Sequence, residues 1–394
     1  MNAQQMLARL VGFPTVSRDS NLELIEFVAS YLESQGVQAT VLRSPCGQKA
    51  NLYATVGPAV AGGVVLSGHT DVVPVDDQAW DTDPFVLTER NDRLYGRGTC
   101  DMKAFYAIAL AMIPQMTALQ QPIHFALSYD EETGCLGAPA LIEAIAEHLP
   151  PVRAVIVGEP TELNVVTAHK GILYFETQIT GFEAHSSLQH IGVSAVMAAG
   201  RLINWLAERQ KDNAQRAASL NPGGLAAADL LHQQSAFEPA YTTLHCGLIR
   251  GGTAQNITAR QCHFVTDIRS LPEENPNRVL AEYRRYAEQE VLAEMRQIHP
   301  ETDIKIHIHA DVPAFSADDA CGAVELARTL TGQNAVLAQP YAAEAGQFQQ
   351  AGFPTVMCGP GSIEQAHQPN EYISVAQFEA GGRFIGRLIE QLSQ

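Results

Sequence analysis

The feature that most constrains this chain is a series of short apolar runs, each closing on a turn signal: NLYATVG, VVLSGH, IHFALSYD and AVIVGEP. Apolar runs of strand length without polar alternation suit strands covered on both faces, the environment of a parallel sheet between helices. Helical patterns lie around them. Leu7, Leu10, Leu22, Leu24, Ile25, Val28, Tyr31 and Leu32 recur among polar residues ahead of an extended VQATVLRS, and Met102 to Met112 form a helical stretch before the third run. The expected fold class is therefore α/β, a mostly parallel sheet with helices on both faces.

After His169-Lys170-Gly171 the texture changes. GILYFETQITG alternates as a half-exposed strand, and SAVMAAGRLINWLAERQ follows as an amphipathic helix. The grammar then repeats: YTTLHCGLIRGG and CHFVTDIRS read as strands, PNRVLAEYRRYAEQEVLAEM as a helix opened by Pro276, and DIKIHIHA as a last alternating strand. This βαββαβ order predicts an α+β sandwich inserted into the first domain. Two domains are also what 394 residues with 46% hydrophobic content lead one to expect. The expected boundaries are 1–170 and 312–394 for the two parts of the main domain and 171–311 for the insert. Pro222 to Ala228 read as a connection within that insert.

Charge narrows the partners. Lys plus Arg total 25 against 43 Asp plus Glu, a formal charge of -18, and so acidic a surface repels phosphate backbones and anionic lipid. Neither nucleic acid nor a membrane is expected as a partner. No apolar run approaches the roughly 20 residues of a bilayer span, and MNAQQMLARLVGF lacks the pattern of a cleavable leader, so a cytoplasmic location is expected. The cysteines Cys46, Cys100, Cys135, Cys246, Cys262, Cys321 and Cys358 are odd in number and never form a CxxC pair. They support neither a disulfide framework nor a cysteine zinc knuckle. Any metal would have to be held by His and carboxylates, the ligand set of a catalytic site.

HExxH, GxSxG and GxxxxGK[ST] are all absent. Gly96-Arg97-Gly98-Thr99-Cys100-Asp101 lacks the third glycine of a dinucleotide fingerprint and ends in an acid where a pyrophosphate would approach. What remains is a set of acids and histidines at predicted strand ends, where open α/β sheets place their sites. His69 and Asp71 follow VVLSG, Asp101 directly precedes a helix in the N-cap position, Glu159 ends AVIVGE, and His367 lies in a downstream loop. Glu131 and Glu132 end the third run. Adjacent residues leave an extended chain in opposite directions, so one of this pair is expected to bind metal and the other to face water. Singly, Asp101 reads as a helix cap, His69 as a turn histidine and the Glu pair as a solvated helix start. Jointly they suit zinc or a similar divalent ion, and a carboxylate between two ions would hold them roughly 3.5–4 Å apart around an activated water.

The strings SGHTDVVP, YGRGTCDMK, LSYDEETGCLG, VGEPTELNVVTAHKG, FEAHSS and CGPGSIEQAHQPNEY closely resemble the M20 metallopeptidase family, from about His69 to Tyr372. Within it they are most similar to the members that deacetylate N-acetylornithine. The resemblance implies a small-molecule N-acyl amino acid as substrate and two divalent ions, Zn2+, with Co2+ able to substitute. It makes Asp101 the bridging ligand, with His69 and Glu159 completing one ion's site and Glu132 and His367 the other's. It makes Asp71 the partner that fixes the tautomer of His69. Glu131 becomes the general base that passes a proton from water to the leaving amine. His185 is implied as a donor to the oxyanion, reaching a neighbouring subunit's site, so a homodimer through the inserted domain is expected. Asn256, Arg269 and the Gly359-Pro360-Gly361 loop are implied to hold the substrate carboxylate, with Glu344 a candidate for the distal ammonium of ornithine.

Arg269 also reads as a strand-end salt-bridge residue, and Glu344 as an acid at a helix N-terminus. Where the family block has DMKGF, this chain has Ala104, a better helix former than glycine, and Lys103 reads as a local charge partner of the carboxylates. Succinyl-diaminopimelate desuccinylation, a broader N-acyl amino acid hydrolysis, and a catalytically silent binding protein on the same fold remain alternative readings.

Overall fold

A computed structural model of the chain describes residues 1–220 and 237–394, so the connection read at Pro222 to Ala228 lies outside the described residues. The chain divides into two compact units. The first is Met1–Ala168 with Phe315–Ala338 and Ala343–Gln394, and the second is His169–Ala314 with Gln339–Ala342.

In chain order the elements are α1 (Ala3–Val11), α2 (Leu22–Ser34), β1 (Ala39–Arg43), β2 (Ala50–Val56), β3 (Gly63–His69), β4 (Thr88–Arg90), β5 (Arg93–Tyr95), α3 (Lys103–Ala111), β6 (Ile123–Ser128), α4 (Ala138–His148), β7 (Val152–Pro160) and β8 (Val165–His169). Then come β9 (Gly171–Thr180), α5 (Ala195–Leu220), β10 (Thr243–Gly251), β11 (Gln261–Ser270), α6 (Pro276–Tyr286), α7 (Ala293–Ile298) and β12 (Asp303–Val312). The chain ends through β13 (Phe315–Ser316), α8 (Gly322–Thr331), β14 (Val336–Gln339), α9 (Ala345–Gln350), β15 (Thr355–Gly359), β16 (Tyr372–Ser374) and α10 (Val375–Leu392).

The large sheet of the first unit runs β1-β2-β6-β3-β7-β15-β8-β13, with β14 beside β8. Its middle is parallel: β3 pairs in parallel with β6 and β7, and β15 with β7. Every residue of β3, β6 and β15 is buried, which is why these strands read as unbroken apolar runs. Helices α3, α8 and α10 pack together against β3, β7 and β15, while α4 and α9 form a second group over β2, β6 and β15. The covering is closest between β7 and its neighbours. A Cβ on Gly158 would lie 2.1 Å from the Phe105 ring of α3, and one on Gly359 would lie 2.1 Å from the Gly158 carbonyl oxygen. Parallel pairing in register, with His69 opposite Ser128, sends the chain out of these strands at a common edge.

In the second unit, β10-β11-β9-β12 form an antiparallel sheet. Burial alternates along β9 and β11, as a sheet with one covered face requires. Leu173, Phe175 and Ile179 meet Phe264 and Ile268, and α5 covers them with Ala199, Leu202 and Leu206. The helix expected as one piece after Pro276 is instead α6, a wider π stretch at Ala287–Leu292, and α7. Among the described residues no helix is long and apolar enough to cross a membrane.

One buried titratable group belongs to this framework and lies away from the acidic cluster. His124 of β6 shares a hydrogen bond with Thr55 Oγ1 at 2.9 Å through Nδ1, its Nε2 has no partner, and burial pushes its pKa down to about 4. Between the ordinary value of 6.5 and about 4, the unfolded chain binds a proton that the folded chain refuses. Stability from this group is therefore complete above pH 6.5 and falls as the pH drops through that window. Urea unfolding at neutral pH and near pH 4.5 is expected to show a loss roughly 2 kcal/mol smaller in His124→Leu than in the wild type. An equal loss in both proteins would remove His124 as the cause.

Candidate metal centre

The acids and histidines singled out in the sequence meet at the end of the parallel strands of the first unit. His69 is the last residue of β3, and its Nε2 stands 3.0 Å from Asp101 Oδ1. The other Asp101 oxygen, Oδ2, lies 3.4 Å from His367 Nε2, and that nitrogen is 3.0 Å from Glu132 Oε2. One carboxylate thus faces two imidazoles through two different oxygens. Ligand atoms of His69, Asp101 and Glu132 all fall within 4.8 Å of one another.

Asp101 is not a helix cap, as its place before a helix led us to expect. The helix begins at Lys103, Met102 takes the N-cap position, and the Asp101 carboxylate turns to the two histidines. Glu131 and Glu132 do not part company either. β6 ends at Ser128 and the chain turns at Asp130, which has a left-handed φ of 56°, so the extended-strand rule no longer applies. Both carboxylates lie in the same charge cluster, on residues that are half-buried. Asp71 holds His69 through its main chain: Nδ1 bonds the Asp71 carbonyl oxygen at 2.8 Å, while the nearer carboxylate oxygen is 3.7 Å away. The Asp71 carboxylate instead accepts from Ser17 Oγ and from the backbone N–H groups of Glu131 and Glu132, fixing the turn that carries them.

Electrostatics agree with the crowding. Burial, then the charge of Asp101, pushes Glu159 up to about 8. Burial and the charge of Glu159 raise Glu131 well above the usual carboxylate range, and burial with Asp101 raises Glu132. Burial also disfavours ionised Asp101, but hydrogen bonds from His367 and His69 outweigh it and hold that carboxyl low. His367, bonded to Asp101 and Glu132, rises to about 10. Glu159 Oε1 is buried and has no hydrogen-bond partner. Four carboxylates beside two imidazoles, one of them with an oxygen left over, match the nitrogen and oxygen donor set that divalent zinc-like ions take.

Several expected contacts take other forms. Glu344 is 1% exposed and accepts from Ser67 Oγ at 3.1 Å and from Ser128 Oγ, so its carboxylate is spent beneath the strand ends. Lys103 meets the carboxylates of Glu371 and Asp71 through charge alone; its Nζ donates to the carbonyls of Leu10 and Phe13, and burial lowers its pKa to about 7. The N–H groups of Gly359 and Gly361 donate to Thr161 Oγ1 and Gln377 Oε1, so neither is free for a substrate carboxylate. In the second unit, Arg269 Nε bonds both oxygens of Asp267 along its own strand, the salt bridge considered from the sequence. His185 and Asn256 are exposed on adjoining loops there, joined by the Ser186 N–H donating to the Asn256 carbonyl.

Sequence reasoning missed Glu371. It is 1% exposed, pairs with Arg97 at 2.7 Å, and accepts from the backbone N–H groups of Cys100 and Asp101. Its only signal was an acid in QPNEY, next to a histidine of interest.

The chain belongs to peptidase family M20/M25/M40, whose sequence pattern matches residues 65–391, and it is a hydrolase of that family. It is 33% identical to an acetylornithine deacetylase of Pasteurella multocida (strain Pm70) over 98% of this chain and 97% of that one. With an acetylornithine deacetylase of Myxococcus xanthus it shares 34% identity over 94% of this chain and 92% of the other. Its fold is similar to that of an M20 family metallo-carboxypeptidase, Sso-CP2 from Sulfolobus solfataricus, with TM-score 0.78, 19% identity, and 100% and 99% of the two chains covered. It is also similar to the YXEP protein of Bacillus subtilis, described as a dinuclear metal binding peptidase, with TM-score 0.64, 17% identity, and 98% and 96% covered.

Proposed function

We propose that this protein hydrolyses N2-acetyl-L-ornithine to L-ornithine and acetate, a step of arginine biosynthesis, with two divalent ions at the Asp101 cluster. The observation that carries the two-ion reading is Asp101, whose two oxygens face His69 on one side and His367 on the other. The substrate reading is supported by relatives called acetylornithine deacetylase that match along nearly the whole chain. His69 and Glu159 would hold one ion, Glu132 and His367 the other, and Asp101 both. When bound, such ions supply Lewis acidity, lowering the pKa of water and polarising the amide carbonyl. Zinc suits these donors, and cobalt is expected to substitute.

The chain's own residues do the proton work. Glu131 takes a proton as water oxygen bonds the acetyl carbon, and returns it to the ornithine nitrogen as the C–N bond breaks. Water oxygen leaves in acetate, so no acyl-enzyme forms. The Glu131 carboxylate is oriented by the Cys135 thiol, whose Sγ is 3.4 Å from Oε1, and its backbone N–H by Asp71. His185 is assigned to the developing oxyanion, acting from a second copy of the chain. Two features of the second unit support that dimer: among the described residues β10 is an edge strand of the sheet, bearing exposed Leu248 and Ile249, and α5 exposes Val196 and Met197.

The purified protein, loaded with zinc or cobalt, is to be assayed on N-acetyl, N-formyl and N-succinyl amino acids. kcat/KM is expected to be highest for N2-acetylornithine. A tenfold preference for N-succinyl-diaminopimelate, or equal rates across the panel, would reassign the substrate. No turnover of any member would leave only the binding-protein alternative.

A further inference from the structure

We infer that Gln78, Arg97 and Glu371 form a positioning relay that sets Asp101 and His367 at the spacing two cations need. The inference rests on the metal reading of the cluster. His367 is the most exposed of the proposed ligands, its side chain 52% exposed, and its backbone lies in the left-handed region with φ 63°. Packing therefore cannot fix the ring; its main chain has to be held. The Gln78 amide does so, with Nε2 donating to the His367 carbonyl oxygen at 3.0 Å.

Gln78 is held in turn. Its Oε1 accepts from Arg97 Nη2 at 2.6 Å and from Trp80 Nε1 at 3.1 Å, which fixes which end of the amide points at His367. Arg97 is 1% exposed, lies over the Trp80 ring with Cζ 5.2 Å from its centroid, and donates through Nη1 to Glu371 Oε2. Glu371 completes the chain. Besides Arg97 it accepts from the backbone N–H groups of Gly98, Cys100 and Asp101 at 3.1, 2.8 and 3.1 Å. A single buried guanidinium thus ties the loop that presents Asp101 to the loop that presents His367. None of the three residues touches the cluster's ligand atoms, so they position and do not coordinate. Partners of this kind, one shell out from the ligands, are worth about 10 to 100-fold in metal affinity.

Glu371→Ala would strand Arg97 in the interior and threaten the fold, so the decisive variants are at Gln78, which is only part-buried. The metal-free full-length protein is titrated with Co2+ alone, reading visible absorption and, separately, thermal melting before metal is added. Wild type is expected to take up two equivalents. Gln78→Met, similar in length but without hydrogen bonds, should weaken one of the two steps by about 10 to 100-fold and alter its spectrum. Gln78→Glu can still accept from Arg97 but cannot donate to the His367 carbonyl, and should behave as Gln78→Met does. Glu371→Gln should weaken both steps, because Asp101 faces both sides of the cluster. Wild-type affinities and spectrum in either Gln78 variant would overturn the relay. So would loss of both steps with a lowered metal-free melting temperature, the mark of a merely structural role. A wild type that takes up no Co2+ would instead bring down the metal reading, and the relay with it.

Discussion

Replacing Glu131 with Gln should lower kcat by about 10³-fold or more while both metal ions stay bound, a loss of roughly 4 kcal/mol of transition-state stabilisation. The amide keeps the size of the carboxylate, and its oxygen still accepts from Cys135, so the turn held by the Asp71 carboxylate is not disturbed. What is lost is the ability to take a proton from water and return it to nitrogen. Metal content by elemental analysis and KM should therefore stay close to wild type. Turnover within tenfold of wild type would assign proton transfer to another group. The same variant probes the dimer. Mixed with His185→Ala subunits, it should recover part of the activity if His185 serves the neighbouring copy, because some mixed dimers carry one intact set of groups. No recovery after subunit exchange would place His185 outside that role.

Prolonged chelation is the second large effect. It should abolish amide hydrolysis, by at least about 10³-fold given what metal ions contribute to such reactions, and zinc or cobalt should restore it. It should also lower the melting temperature. Ions held a thousandfold above their dissociation constant stabilise the folded chain by about 4 kcal/mol, all of which is forfeited on removal. The burial of Glu131, Glu132 and Glu159 beside Asp101 makes this chain especially dependent on that compensation. Unchanged hydrolysis by a protein shown to contain no metal would defeat the proposed chemistry.

The parallel core was legible because β2, β3, β6 and β7 are buried on both faces, so hydrophobicity alone marks them. The insert was legible for the opposite reason, since its strands alternate. Loop chemistry was not. Whether Asp71 holds His69 by carboxylate or carbonyl depends on the turn after β3, and whether Glu131 and Glu132 diverge depends on the positive φ at Asp130. Arg97 looked like part of a glycine loop because its partner Glu371 is 274 residues away, a distance over which no periodicity operates. Glu344 was legible as an acid of interest but not as a buried one, because its serine partners sit on strands far upstream.

The contact between Gly158, Gly359 and Phe105 carries a lesson for anyone reshaping what this catalyst accepts. With no room for even a methyl group immediately before Glu159, the seam resists diversification, and libraries that randomise it would mostly yield inactive clones. Variation belongs in the segments that leave the parallel strands of the open sheet, where new side chains can be tried without moving the ligands.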